Sequence, residues 1–246
     1  MVLTLHNPQS RNAMDTGVYA AGVEALNAAG DNHDIRSVVV AGSGNTFSAG
    51  PDLQLLRDNR SKPRELQADS LDAFHLFIET VNTFPKPVIA AVEGVASGAG
   101  FSLALACDMI IAARDAVFLM PDGGIGFAPD GGAIWHLARS LPRATAIEIA
   151  LLGAELPAER LHALGVVNRL SSQGFALRDA LSLAEALNRR AANVVEATKE
   201  MLGAALQTTL SDHLAAGREQ FLRSLEHGNS GIGVEAFANK QSAGLN

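Results

Sequence analysis

Phe47-Ser48-Ala49-Gly50-Pro51-Asp52-Leu53 and, further along, Ala96-Ser97-Gly98-Ala99-Gly100 are the two stretches on which the reading of this chain turns. Each follows an apolar run of strand type. Ser37–Ala41 reads Ser-Val-Val-Val-Ala and Pro87–Val92 reads Pro-Val-Ile-Ala-Ala-Val, continuous and β-branched as buried strands are. The second stretch passes directly into an apolar helical segment, Gly100–Cys107. The Ala99 N–H therefore stands at a helix N-terminus, where unsatisfied N–H groups and the helix dipole favour negative charge. Small residues at this point serve close packing of helix on strand equally well. The first stretch holds a chemical oddity, because Pro51 has no N–H to donate.

Working outward, Met109–Ala113 and Val166–Leu170 read as further strands. Thr16–Ala29, Arg64–Phe84 and Gly132–Arg139 have helical spacing. Strand and helix patterns alternate, which predicts an α/β fold with crossovers. From Ala176 the pattern changes to amphipathic helices at Arg178–Arg190, Val194–Leu206 and Leu210–Leu225. We expect an α/β core over 1–174 and a helical capping or oligomerisation region over 175–246, with the break near Ser171-Ser172-Gln173-Gly174.

With 48% apolar and 18% charged residues, the composition is that of a soluble globular chain. The net charge of −7 disfavours nucleic acid and anionic membrane as partners. The single cysteine, Cys107, excludes an intrachain disulfide and reads as a small buried residue. The N-terminus has neither a basic nor an apolar leader region, and no apolar run is long enough to span a bilayer, so a cytoplasmic location is expected.

Several pieces fall in one order with consistent gaps: His6-Asn7-Pro8 with Arg11-Asn12-Ala13, Val38-Val39-Val40 with Gly42-Ser43-Gly44, then Phe47–Leu53. Pro85–Gly94, Cys107-Asp108, Pro121-Asp122, Pro129-Asp130-Gly131-Gly132 and Ala163–Val167 follow. As an ordered set they resemble the crotonase (enoyl-CoA hydratase/isomerase) superfamily over nearly the whole chain. The resemblance implies a spiral of ββα turns with a C-terminal helical subdomain, usually assembled as a trimer or dimer of trimers. It implies an acyl-CoA substrate, with coenzyme A entering as part of the substrate. No tightly bound cofactor and no metal are expected.

The family's site residues carry over position by position. Two backbone N–H groups hold the thioester oxygen while an enolate forms, here at Ala99 and at Pro51, where the donor is missing. Three accounts of Pro51 stand open: the Asp52 N–H or a water replaces it, the substrate needs less stabilisation, or the protein binds acyl-CoA and turns it over weakly. A tolerated turn proline is the plain alternative. Hydratases of the family place two glutamates where this chain has Ser102 and Asp122, so hydration would rest on Asp122 and a water. Asp130 lies where family isomerases carry a proton-shuttling aspartate and where a chlorobenzoyl-CoA dehalogenase carries its nucleophile. A cap on the following helix is its plain reading. His75 matches the dehalogenase histidine, or is an ordinary helix-face histidine. The expected reaction is isomerase-type proton transfer through Asp130, assisted by Asp122, with the oxygen on the Ala99 N–H. Hydratase and hydrolase chemistry are alternatives. Ala49, Asp52, Leu53, Gly98, His75 and Arg11 are expected around the substrate, and Arg11, Arg57, Lys62 and Arg64 near the cofactor phosphates.

Overall fold

The computed structural model describes residues 1–240. The chain opens with β1 (Val2–Leu5) and α1 (Thr16–Asp31), whose first turn is capped by the Asp15 carboxylate accepting from the Val18 N–H. Then come β2 (Val38–Gly42), α2 (Leu53–Asn59) and α3 (Arg64–Thr83). The next two turns of the chain each give two strands and a helix. The first is β3 (Val88–Val92), β4 (Val95–Ser97) and α4 (Ala99–Ala106); the second is β5 (Met109–Ala113), β6 (Val117–Leu119) and the short α5 (Asp122–Ile125). After them run α6 (Ala133–Ser140), α7 (Arg143–Leu152), β7 (Leu156–Pro157), α8 (Ala158–Ala163) and β8 (Arg169–Ser171). Four helices follow: α9 (Ala176–Asn188), α10 (Ala192–Ala204), α11 (Leu210–Glu226) and α12 (Gly228–Ala238).

The main sheet has the order β1-β2-β3-β5-β8 and is parallel throughout. A smaller sheet stacks β4 beside β6 in parallel and β7 antiparallel to β6. This is the expected α/β spiral of ββα turns. Successive turns place successive segments side by side. Ser48 bridges Ala96, and Ala96 pairs with Phe118. The two stretches that opened the sequence reading are thus neighbours because they occupy the same point on consecutive turns.

The uninterrupted apolar strands are buried on both faces, as parallel sheets require. Val38, Val40, Val88, Ala90 and Ile110 point into the main core with α1, α3 and α4. The alternate residues Val39, Ala41, Ile89, Ala91 and Ile111 face the other way and meet Ala176, Ala180, Leu183 and Ala184 of α9. Those four residues share one helix face by spacing. The Glu93 carboxylate, in the turn between β3 and β4, accepts from the Gly174 and Ala176 N–H groups at 3.0 and 2.7 Å and so caps α9. The helical C-terminal region therefore begins with a helix that completes the sheet's core. α10 is tied back to the core by Lys199, whose Nζ donates to Asp108 Oδ2 at 2.7 Å and the Lys86 carbonyl at 3.2 Å. Leu202, Leu210, Leu214 and Phe237, on α10, α11 and α12, stay exposed.

Two differences from the sequence reading have local causes. The strand expected at Val166–Leu170 is β8, Arg169–Ser171. The Val166 and Val167 N–H groups both donate to the Leu161 carbonyl, which closes a turn after α8 and delays pairing with β5 to Arg169. The resemblance implies a second strand in each turn, but local pattern does not locate β4, β6 and β7, because strands of two or three residues carry too little periodicity to read. Among the described residues no helix is long and apolar enough to cross a membrane.

Candidate active site

A cavity of about 920 Å³ opens between the two site loops, α1, α3 and the segment from Pro121 to Asp130. Its floor is backbone. The Ser97 N–H donates to the Ser48 carbonyl at 2.9 Å, and the Gly98 N–H to the Leu119 carbonyl at 3.0 Å. Gly98, with φ 49° and ψ −118°, turns the chain from β4 into α4 in a conformation few side chains adopt. The Ala99 N–H that follows has no acceptor among the described residues. A methyl group on Gly50 would stand 2.7 Å from the Ser97 carbonyl oxygen, so only glycine lets the two loops approach this closely.

On the Pro51 side the loop has no N–H to spare. The Phe47 and Ser48 N–H groups donate to the Val95 carbonyl, Ala49 to Arg11 and Gly50 to the Ser48 hydroxyl. Pro51 pairs in parallel with Met14, and the Asp52 N–H donates to the Met14 carbonyl at 3.3 Å. The account in which the Asp52 N–H replaces the missing donor is corrected here, since that N–H is directed at Met14.

Asp130 sits in the Pro129-Asp130-Gly131-Gly132 turn. The helix after it, α6, starts at Gly132 with no side-chain cap, so the plain reading of Asp130 as a cap is also corrected. Its carboxylate instead meets His75, with Oδ1 2.7 Å from His75 Nε2. The second oxygen, Oδ2, is buried and has no partner among the described residues. An orphaned buried acceptor of this kind is costly. The turn is locked from behind. The Ser102 hydroxyl donates to the Asp130 carbonyl at 2.8 Å, with the Gly98 carbonyl as a longer alternative acceptor at 3.3 Å. Where the family's hydratases have a carboxylate, this chain has a hydroxyl that ties the Asp130 turn to α4.

Asp122 lines the same cavity. Burial pushes its carboxyl above the usual range, its own backbone N–H works against that, and the nearby Asp130 charge pushes it further up. Tyr19 was not singled out from the sequence. The single tyrosine of the chain, it lies on α1, is 5% exposed and lines the cavity with its ring 5.0 Å from that of Phe74. Its phenol is held well above its ordinary pKa by burial and by the Asp15 and Asp130 charges. The one signal that would have found it is its place one turn into the helix that follows Arg11-Asn12-Ala13.

The structure brings Ala49, Pro51, Asp52, Gly98, Ala99, Asp122, Asp130 and Arg11 to one cavity. His75 is not among the lining residues and reaches the site through Asp130. Leu53 opens α2, and its side chain lies outside the described residues. Of the four expected cations, Arg11, Lys62 and Arg64 line the cavity; Arg57 does not, and Arg60, not named from the sequence, does. Among the described residues none of these four lining cations is in an ion pair.

The enoyl-CoA hydratase/isomerase family model matches residues 1–245. The chain is 31% identical over 242 residues to a 2,3-dehydroadipyl-CoA hydratase of Escherichia coli (strain K12), covering 98% of this chain and 93% of that one. It is 33% identical over 243 residues to a 1,2-epoxyphenylacetyl-CoA isomerase of the same organism, with the same coverage. Among solved structures, an enoyl-CoA hydratase from Polaromonas sp. JS666 superposes with a TM-score of 0.98 at 51% identity, over 100% of this chain and 95% of that one. Spiral fold, paired loops and whole-length similarity agree, and the chain belongs to the enoyl-CoA hydratase/isomerase family.

Proposed function

We propose that the protein moves a proton between carbons of an enoyl-CoA, with Asp130 as the group that takes it and returns it. The observation that carries this reading is the state of the Asp130 carboxylate. Oδ1 is fixed by His75 at 2.7 Å, while Oδ2 is buried at the cavity with no partner among the described residues. One carboxylate is enough for a 1,3-shift, because the oxygen that removes a proton from C2 of a 3-enoyl thioester delivers it at C4. The C2–H electron pair passes into the thioester carbonyl, and the Ala99 N–H at the head of α4 donates to the oxygen as it becomes negative. Asp122, whose carboxyl holds its proton to higher pH than an ordinary aspartate, assists as a second acid. Arg11, Arg60, Lys62 and Arg64 meet the coenzyme A phosphates, and coenzyme A comes and goes with the substrate. Curated relatives named for hydration and for isomerisation resemble the chain about equally, at 31% and 33% identity, while the solved structure at 51% identity is named an enoyl-CoA hydratase; the choice of isomerisation rests on Asp130 and on Ser102 standing where a hydratase carboxylate would be. The exposed apolar residues of α10–α12 support assembly of three copies through the helical region.

The test is conversion of a 3-enoyl-CoA to its conjugated isomer by the wild type and by Asp130→Asn. The variant keeps the shape of the turn and loses its basicity, so turnover falls by about 10²–10⁴. Near-normal turnover in Asp130→Asn overturns the reading.

The His75 contact supports a second reading, hydrolysis. There Oδ2 of Asp130 attacks the thioester carbon, coenzyme A leaves as its thiol, and His75 takes a proton from the water that cleaves the resulting acyl–Asp130 anhydride to the free acid and Asp130. A single turnover in ¹⁸O-water separates the two, because only hydrolysis incorporates label, into the released acid or the Asp130 carboxylate.

A further inference from the structure

The cavity has two unlike ends. α3 forms one wall, with Arg64, Gln67, Leu71 and Phe74 lining it at helical spacing. The ten residues from Arg64 to Phe74 span about 15 Å of helix. The cations Arg60, Lys62 and Arg64 gather at the first end of that wall. The second end belongs to Asp130, because a methyl on Gly131, the next residue, would stand 2.3 Å from the Phe74 ring. There the wall is Leu71, Phe74, Ile125 and Phe127, and the charged lining groups are carboxylates, those of Asp15, Asp122 and Asp130. With the thioester oxygen on Ala99 and C2 to C4 beside Asp130, the rest of the acyl chain continues into this second end. We propose that it takes an uncharged, apolar acyl chain, and that the segment Gly123–Phe127 closes over that chain through Ile125 and Phe127.

Three features fit the part. First, Ile125 and Phe127 line the cavity yet are 54% and 49% exposed. Large apolar side chains on a cavity wall gain when apolar atoms displace the water on them. Second, the segment is fixed at its ends and tied to little between them. Buried Met120 precedes it, and the Asp130 turn that follows is held by Ser102 and His75. Among the described residues the hydrogen bonds of Pro121–Phe127 stay within the segment: the Gly124 and Ile125 N–H groups donate to the Pro121 carbonyl, and the Phe127 N–H to the Asp122 carbonyl. A methyl on Gly124 would meet nothing within 4 Å, so packing does not call for glycine there. What glycine adds inside that helical turn is backbone freedom. Third, an acyl chain ending in a carboxylate would bring a further negative charge beside Asp122 and Asp130, with the lining cations Arg60, Lys62 and Arg64 at the other end of α3.

This proposal rests on the acyl-CoA reading above, and the test separates the two. Free coenzyme A and the saturated thioesters butanoyl-, hexanoyl-, octanoyl- and adipoyl-CoA cannot isomerise, so titration calorimetry with them reports binding alone. In the wild type, affinity rises about two- to fourfold for each methylene added from butanoyl to octanoyl. Adipoyl-CoA, with the same six carbons as hexanoyl-CoA and a terminal carboxylate, binds at least about tenfold more weakly. In the double variant Ile125→Ala with Phe127→Ala, the gain from butanoyl to octanoyl falls by at least about fivefold. Closure is read separately, by amide hydrogen exchange over residues 122–127 in the wild type. Octanoyl-CoA slows that exchange, and free coenzyme A at equal saturation does not. The wild-type measurements need no variant, and they carry the test if the double variant does not fold.

Affinity that does not change from butanoyl to octanoyl overturns the proposal, and so does adipoyl-CoA bound as tightly as hexanoyl-CoA. A folded double variant that keeps the full gain with chain length shows that the chain lies elsewhere, which also overturns it. Equal slowing of exchange by octanoyl-CoA and free coenzyme A assigns the segment to the cofactor part and overturns the closure. Each of these outcomes leaves the acyl-CoA reading standing. A wild type that binds none of the thioesters overturns that reading, and this with it.

Discussion

Replacing Gly131 by alanine tests whether the Asp130 turn is as tightly determined as its contacts imply. Gly131 has φ +63°, where an L-residue costs about 1–2 kcal/mol more than glycine. The added methyl would stand 2.3 Å from Cε1 and 2.6 Å from Cζ of Phe74, and 3.0 Å from Cβ of Ser102. Phe74 is 4% exposed and backed by the Tyr19 ring at 5.0 Å, so it has nowhere to retreat. Forcing a methyl into a filled core costs about 1–3 kcal/mol. The two effects have separate causes, and together they predict a loss of about 2–5 kcal/mol. Chemical denaturation reads this as a lower midpoint at unchanged slope. Trimming the ring with Phe74→Leu in the same chain should remove the steric part and leave the backbone part, so the two substitutions are strongly non-additive. A loss below about 1 kcal/mol for Gly131→Ala, or simple additivity with Phe74→Leu, would refute the account of this turn.

Two further predictions concern charge. Asp122 is held above 3.8 chiefly by burial, so over the window between 3.8 and its raised value the folded chain keeps a proton that the unfolded chain has released. Stability contributed by that proton is complete at lower pH and is lost as pH rises through the window. Asp122→Asn should flatten this part of the profile of melting temperature against pH, and an unchanged slope would count against it. Lys199→Met leaves Asp108 Oδ2 with only the Val88 N–H, where it now also accepts from Lys199. Loss of about 1–3 kcal/mol is expected, with limited proteolysis reaching α10–α12 before the core. Equal protease resistance would show that the tie does not hold the helices.

Much of the fold was legible because the strands β2, β3 and β5 are continuous apolar runs dominated by Val, Ile and Ala, the pattern of a parallel strand covered on both faces. The paired loops were legible because glycine is required at Gly50 and Gly98 by close approach and by backbone angle. What the sequence could not convey lies in contacts between distant residues. Nothing local marks the Met14 carbonyl as the acceptor of the Asp52 N–H, which belongs to a different part of the chain. The role of Ser102 was hidden for the same reason, since its partner Asp130 is brought to it by the fold. Tyr19 looked like one helix residue among others until Phe74 and Met14 were placed around it. The His75–Asp130 pair was within reach of the sequence only through the family's pattern, because a histidine on a helix face has no signature of its own.

The hydroxyl tie at Ser102 also constrains how this site can change by descent. A glutamate at that position, as in the family's hydratases, would bring a carboxylate toward a cavity that already holds Asp122 and Asp130. In the same step it would delete the donor that secures the Asp130 carbonyl. The intermediate would have a loosened Asp130 and a third negative charge, and so would serve neither a one-carboxylate nor a two-carboxylate reaction well. On the proposed reading, a change at residue 102 is therefore not independent of residue 130. The coupling between the two positions, 28 residues apart in the chain, runs through a single 2.8 Å hydrogen bond.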